Sequence, residues 1–213
     1  MYDYNLVIVQ IIPFSQITGR YAFLNWVQYI LISVIVVLVC CVTRIIYCWN
    51  KSNKKIYTDT LTKCNSRAAC LDILDYLEDN KKQQVTIVYM DLNRFKWVND
   101  TYGHEKGDEL LKVFADVLMQ TLGKEGFVGR MGGDEFIAVL LDVSEQRLMG
   151  LWHQVESELS IQSESLGLPC KITSSFGYAM REAGDVTPMS SVLQMADERM
   201  YENKTAQKSK ITE

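Results

Sequence analysis

Histidine is scarce: only two of the 213 residues are histidine, and no two of the six cysteines form a Cys-x-x-Cys pair. A zinc site built from those ligands is therefore not expected. Cys64, Cys70 and Cys170 are scattered and read as free thiols of a reducing compartment. Basic charge is not in excess either, since 22 Lys and Arg stand against 26 Asp and Glu for a net charge of −4. With no basic stripe, a nucleic-acid partner is not expected. Between Ala22 and Tyr47 charge is almost missing, and Arg44 is the one charged residue there.

Apolar residues fill that gap. Trp26–Val42 is interrupted only by the mild Gln28 and Ser33, and about 20 apolar residues suffice for a helix to cross a bilayer. Tyr21 and Trp26 at one end and Tyr47 and Trp49 at the other suit the interfacial aromatic belts. Arg44 is placed to reach the headgroups. The run exceeds the core of a signal peptide, and no small-residue cleavage site follows it. We therefore expect a transmembrane helix over residues 21–49. Lys51, Lys54 and Lys55 follow the span, against Arg20 alone before it, so the positive-inside rule puts the C-terminal part in the cytoplasm. The expected localisation is a single-pass protein of the bacterial inner, or cytoplasmic, membrane.

Residues 1–20 are expected to lie outside the cytoplasm. Tyr4–Pro13 reads as a strand ended by a proline, and a lone strand has no partner for its backbone. The segment resembles the last strand of a Cache-type sensor domain. That resemblance implies that the chain is the C-terminal remnant of a longer receptor.

A polar linker over residues 50–58 leads to a domain expected over 59–213. The apolar spacing predicts a helix over 66–80 with Ser66 as cap. Val85–Met90 is a continuous β-rich run and reads as a buried strand. Asp91–His104 is charged and irregular, with room for one short helix. Helices are predicted over 107–122 and 144–165, the second ending before Pro169. Strands are predicted over 127–131, 136–141 and 170–180, and a final helix over 190–205.

The order β-α-β-β-α-β is that of an α+β, ferredoxin-like core. Its hairpin is Gly129-Arg130-Met131-Gly132-Gly133-Asp134-Glu135-Phe136. On shape alone, this is a solvated turn with two surface acids, Asp134 and Glu135, side by side at the start of the second strand. Alternation sends them to opposite faces. The strand order changes that reading. In this topology the third strand lies beside the first, which brings Asp134 next to Asp91. Converging carboxylates repel unless a positive charge sits between them. A hard divalent cation, Mg²⁺ or Mn²⁺, fits such oxygen ligands and leaves positions for phosphates.

Asp91-Leu92-Asn93-Arg94-Phe95-Lys96-Trp97-Val98-Asn99-Asp100, continued through Tyr102-Gly103-His104 to Gly107-Asp108, together with Gly132-Gly133-Asp134-Glu135-Phe136, resembles the GGDEF-domain diguanylate cyclases. The likeness runs from about Asp59 to Lys208. It implies a nucleotidyl-cyclase-like fold and the following roles. Asp91, the Leu92 carbonyl and Asp134 hold the metal. Asp134, with Glu135 as the second acid, is catalytic. The backbone around Arg94, Phe95 and Lys96 meets the β- and γ-phosphates. Asn99, His104 and Asp108 contact substrate, with Asn99 and Asp108 on guanine. Lys204 is the phosphate lysine of the last helix, and Arg130 precedes Gly132 and Gly133 as the family arginine does.

The sequence also departs from the family pattern. Lys63, Cys64 and Ser66 replace Gly, Leu and Asn in the segment that opens the domain. Asn93 stands where a second aspartate is common, and Lys208 replaces an arginine. Gly123 and Gly126 occupy the places of the inhibitory Arg-x-x-Asp, so the primary inhibitory site for cyclic di-GMP is expected to be absent. The implied activity is a diguanylate cyclase that joins two GTP across a homodimer. The alternative is a catalytically silent module that binds GTP or cyclic di-GMP. Its usual mark is a damaged glycine-acid motif, and here that motif is intact.

Overall fold

The computed structural model describes residues 14–168 and 171–211. The strand-like segment 4–13, Pro169 and Cys170 lie outside the described residues. The chain divides into two compact units, Met1–Ser52 and Asn53–Glu213.

In the first unit the chain is helical from Phe14 onward, as helix α1, which spans Phe14–Tyr57. Within it, the 25 residues Asn25–Trp49 are long and apolar enough to cross a membrane, by length and composition. Their side chains are exposed all round the helix. The expected linker over 50–58 is helical as far as Tyr57.

The second unit contains α2 (Arg67–Asp79), β1 (Val85–Leu92), α3 (Phe95–Tyr102), α4 (His104–Thr121), β2 (Gly126–Gly132), β3 (Glu135–Leu141), α5 (Glu145–Ser165), β4 (Ser174–Arg181) and α6 (Met189–Ile211). Ser66 caps α2 by accepting from Ala69 N–H, and Ser144 caps α5 by accepting from Arg147 N–H. These short polar side chains satisfy donors that the helix start leaves free. The four strands form one sheet in the order β2-β3-β1-β4, with every neighbouring pair antiparallel.

β1 is buried along its whole length, and alternation divides its side chains between two cores. Val88, Met90 and Leu92 join Phe136, Ala138 and Leu140 under α4 and α5. Val85, Ile87 and Tyr89 join Ile137, Val139 and Ala179 under α2 and α6. By the same alternation Asp91 and Glu135 fall on the second face.

Two boundary differences bear on the site. The last strand begins at Ser174 and not at residue 170. β4 is an edge strand whose neighbour β1 ends with the pair Leu92↔Ser174. One more bond, Asn93 N–H to the Thr173 carbonyl at 2.9 Å, closes the pairing before the chain leaves into α3. Asp134 lies in the turn and not at the start of β3. The pair Gly132↔Glu135 closes a two-residue turn of Gly133 and Asp134. Gly132 and Gly133 have φ of +152° and +54°, values that a residue without Cβ adopts freely.

Candidate active site

β3 starts beside the end of β1. Asp91 is opposite Glu135, and Leu92 N–H donates to the Asp134 carbonyl at 3.4 Å. Two segments far apart in sequence thus bring three carboxylates to one end of the sheet. Asp91 is only 5% exposed. Burial raises its pKa, the Lys204 hydrogen bond lowers it, and the negative charges of Asp134 and then Glu135 raise it further, leaving it above the ordinary aspartate value. The counter-charge comes from α6, where Lys204 Nζ donates to Asp91 Oδ1 at 2.6 Å.

Glu135 faces the α2–α6 side of the sheet, because it shares parity with Ile137 and Val139. There the Tyr89 hydroxyl donates to Glu135 Oε2 at 3.1 Å. Burial, followed by the charge of Glu135, pushes the Tyr89 phenol well above its usual value.

The hairpin is tied down from outside the sheet. Arg130 Nε and Nη2 donate to the Gly133 carbonyl at 3.0 and 2.7 Å. Its Nη1 donates to Asp59 Oδ1 at 3.1 Å. Asp59 also accepts from Thr62 N–H and Oγ1 at 2.8 and 2.6 Å. Burial works to raise the Asp59 pKa, but the Thr62 and Arg130 bonds outweigh it and hold the carboxyl below the ordinary range. The replacements Lys63, Cys64 and Ser66 leave this anchor intact. Lys63 adopts φ +63°, Cys64 is buried and Ser66 caps α2.

Beyond Leu92 the chain turns sharply. Arg94 holds φ +62°, which is uncommon for a residue with a side chain, and α3 starts at Phe95 with no side-chain cap. The first N–H groups of a helix lack intrahelical partners and suit an anion. Arg94 and Lys96 are exposed beside them. At the far end of α3, Gly103 at φ +85° closes one helix and opens the next. His104 and Asp108 lie one turn apart on α4, both exposed. Asn99 is half-buried against Gly107, where a Cβ would lie 1.9 Å from Asn99 Oδ1 and 3.2 Å from Phe95 Cε2.

Among the described residues no three His, Cys, Asp or Glu side chains converge as a metal cage. Asp91, Asp134 and the Leu92 carbonyl carry oxygen donors of the type that Mg²⁺ takes, with one or two carboxylates and the remainder water and phosphate. The ammonium on Asp91 shows that this buried oxygen accepts a positive charge.

Residues 56–210 match the family model for "Diguanylate cyclase, GGDEF domain". The chain belongs to the GGDEF-domain family. It is 31% identical over 163 residues to the diguanylate cyclase DgcP of Escherichia coli, covering 70% of this chain and 44% of DgcP. It is 34% identical over 149 residues to the cyclic di-GMP phosphodiesterase PdeR of the same organism, covering 68% of this chain and 22% of PdeR. The structure of the coiled coil and GGDEF domain of DgcB from Caulobacter crescentus, in complex with c-di-GMP, superposes with a TM-score of 0.69 at 25% identity. That match covers 78% of this chain and 90% of the DgcB chain. The chain spans less than half the length of the curated relatives it matches.

Of the residues named from the GGDEF resemblance, Asp91, Leu92, Asp134, Glu135, Arg130, Gly132, Gly133 and Lys204 gather at the end of β1 and the hairpin. Arg94, Phe95 and Lys96 follow directly, and Asn99, His104 and Asp108 surround the α3–α4 joint. Sequence reasoning missed three partners. Tyr89 carried a signal, since it is two residues before Asp91 and so on the same face. Asp59 matches the family's opening motif and Asn93 departs from its pattern, but neither signal pointed to partners, which lie on distant elements.

Proposed function

We propose that this GGDEF chain condenses two GTP into cyclic di-GMP and two pyrophosphates. The observation that carries this reading is the placement of buried Asp91 against the Asp134–Glu135 hairpin, with the ammonium of Lys204 from α6 on Asp91. We read the sheet as the ferredoxin-like, nucleotidyl-cyclase-like core. The amides at Phe95 and Lys96 and the Lys204 ammonium bind the phosphates. Asn99 and Asp108 bind the guanine edge, and His104 completes the substrate contacts. Arg130 fixes the Gly133 carbonyl, so the turn keeps its shape when GTP rests on the glycines. Asp134 takes the proton of the attacking 3′-hydroxyl, while Tyr89 holds Glu135 to the α2–α6 face of the sheet. Asp91, Asp134 and the Leu92 carbonyl would hold Mg²⁺ or Mn²⁺, which supplies Lewis acidity at the transferring phosphoryl group. One domain offers half of a two-nucleotide site, so the active species is a homodimer. The apolar stretch Asn25–Trp49 anchors it in the cytoplasmic membrane, with the GGDEF domain in the cytoplasm.

The decisive experiment incubates the full chain, in detergent, with GTP and Mg²⁺ and scores cyclic di-GMP by mass. Product from the wild type and none from Asp134→Ala supports the reading. A folded dimeric wild type that is as silent as the variant defeats it.

A further inference from the structure

The inward stripe of α6 changes character along its length. Val192, Ala196 and Met200 are buried and apolar, and they pack α6 onto the sheet. One turn further on, the half-buried residues are Asn203, Lys204 and Gln207, while Tyr201, Glu202, Thr205 and Ala206 are exposed. The apolar grip therefore ends at Met200, and polar contacts hold the turns that carry Lys204.

Those contacts converge on Asn93, the residue directly after the Leu92 carbonyl. Asn93 Nδ2 donates to Gln207 Oε1 at 2.7 Å and to Thr173 Oγ1 at 3.0 Å. Its Oδ1 accepts from the buried Ser175 hydroxyl at 2.9 Å. The amide is thereby oriented from β4 and has one donor left for α6. Gln207 in turn donates to Asn203 Oδ1 at 2.8 Å, one helical turn back. Lys204 sits inside the turn that this chain of amides closes, and its ammonium lies on Asp91.

We propose that Asn93 and Gln207 form a clamp that positions Lys204, and that the clamped ammonium competes with a divalent cation for Asp91 until nucleotide draws it to the phosphates. Gln207 is thus a positioning residue that acts through Lys204. The proposal rests on the reading of Asp91 as a metal carboxylate and Lys204 as a phosphate contact. Loosening the clamp then has two effects of opposite sign. The cation binds more tightly, because its rival for Asp91 is less well held. The nucleotide binds more weakly, because Lys204 is less well placed. A merely structural defect weakens both.

The test uses the full chain in detergent. Mn²⁺ binding is measured without nucleotide by electron paramagnetic resonance. Nucleotide binding is measured by calorimetry with 3′-deoxy-GTP, which lacks the attacking hydroxyl. Gln207→Leu is expected to tighten Mn²⁺ and to weaken 3′-deoxy-GTP, each about fivefold, the scale of one net hydrogen bond. Lys204→Met is expected to tighten Mn²⁺ by itself, and adding Gln207→Leu to it to change Mn²⁺ no further. The clamp is overturned if Gln207→Leu weakens both ligands, leaves Mn²⁺ unchanged, or shifts Mn²⁺ equally in the Lys204→Met background. If the opposite shifts appear but the wild type makes no cyclic di-GMP, the clamp stands and the cyclase reading falls. If product forms but Mn²⁺ does not respond, the clamp alone falls. A wild type that binds no Mn²⁺ without nucleotide and makes no cyclic di-GMP sinks both.

Discussion

The Tyr89 hydroxyl donates to Glu135 Oε2 at 3.1 Å from a side chain that is 8% exposed. The bond joins the strand that carries Asp91 to the strand that follows Asp134. It holds the side chain of the second acid to the sheet, while Asp134 lies in the turn with Gly133. Tyr89→Phe keeps the ring in its core position and deletes only this bond. The fold is expected to lose about 1 kcal/mol, read as a small drop in melting temperature. Initial rates of cyclic di-GMP formation should fall several-fold, because Glu135 is then free to swing toward Asp91. Unchanged rates would show that the bond supports the strand pairing and nothing more.

Arg130 links the start of the domain to the glycine turn through Asp59 on one side and the Gly133 carbonyl on the other. Its planar fork makes both contacts at once, and a lysine has no such fork. Arg130→Lys should therefore lower the cyclase rate at least tenfold and cost about 1–2 kcal/mol of stability, seen in the urea midpoint. The same anchor predicts a pH response. The folded Asp59 pKa is below the ordinary 3.8, so its contribution is present above that value and is lost as pH falls through the lowered folded value. Acid unfolding of Asp59→Asn should lack this component. Identical acid profiles for the two proteins would show that Arg130 does not stabilise the Asp59 charge.

How far the sequence could be read is clearest at Asp91 and Asp134. Their convergence was expected from the ferredoxin-like strand order, and β1 and β3 are neighbours in the sheet. The cap at Ser66 and the burial of β1 were legible for a different reason, as each depends on neighbours within a few residues. The Lys204–Asp91 pair was not legible. Lys204 was expected only as a phosphate contact, and its second partner depends on how α6 lies across the sheet. Asn93 read as a departure without consequence, because its partners Thr173, Ser175 and Gln207 come from two later elements. The turn position of Asp134 was missed by one residue, since the Gly132↔Glu135 pairing sets it and the spacing of apolar residues does not.

Gly107 separates fold from recognition. A Cβ there would lie 1.9 Å from Asn99 Oδ1 and 3.2 Å from Phe95 Cε2, so the nearest obstacle is the end of a flexible side chain. Gly107→Ala should displace the Asn99 amide while α3 and α4 remain formed. The expected result is about tenfold weaker binding of 3′-deoxy-GTP, the loss of one hydrogen bond to a charged or polar edge. Far-ultraviolet circular dichroism should be unchanged. Asp108→Ser should act on selectivity, narrowing the preference for guanine over adenine nucleotides by about 10- to 100-fold. Unchanged 3′-deoxy-GTP affinity in Gly107→Ala together with retained preference in Asp108→Ser would move the base pocket away from the α3–α4 joint.

Gly123 and Gly126 occupy the positions that the inhibitory Arg-x-x-Asp takes in the GGDEF pattern, and the fold leaves neither position room for a side chain. A Cβ at Gly123 would lie 2.3 Å from the Met119 carbonyl, and at Gly126 2.1 Å from the Val139 carbonyl. Both obstacles are backbone, one in α4 and one in β3, so neither yields by rotating a side chain. Cyclic di-GMP is therefore expected not to act through this stretch. In the presence of pyrophosphatase, reaction progress should follow GTP depletion alone, with no slowing as product accumulates. Restoring the motif as Gly123→Arg with Gly126→Asp should lower the melting temperature and leave the progress curve without product inhibition. Calorimetry should find no saturable cyclic di-GMP binding tighter than about 1 µM, or 8 kcal/mol. Tight binding, with amide-exchange protection confined to residues 123–126, would show that α4 and β3 part to admit the dinucleotide and would overturn the prediction.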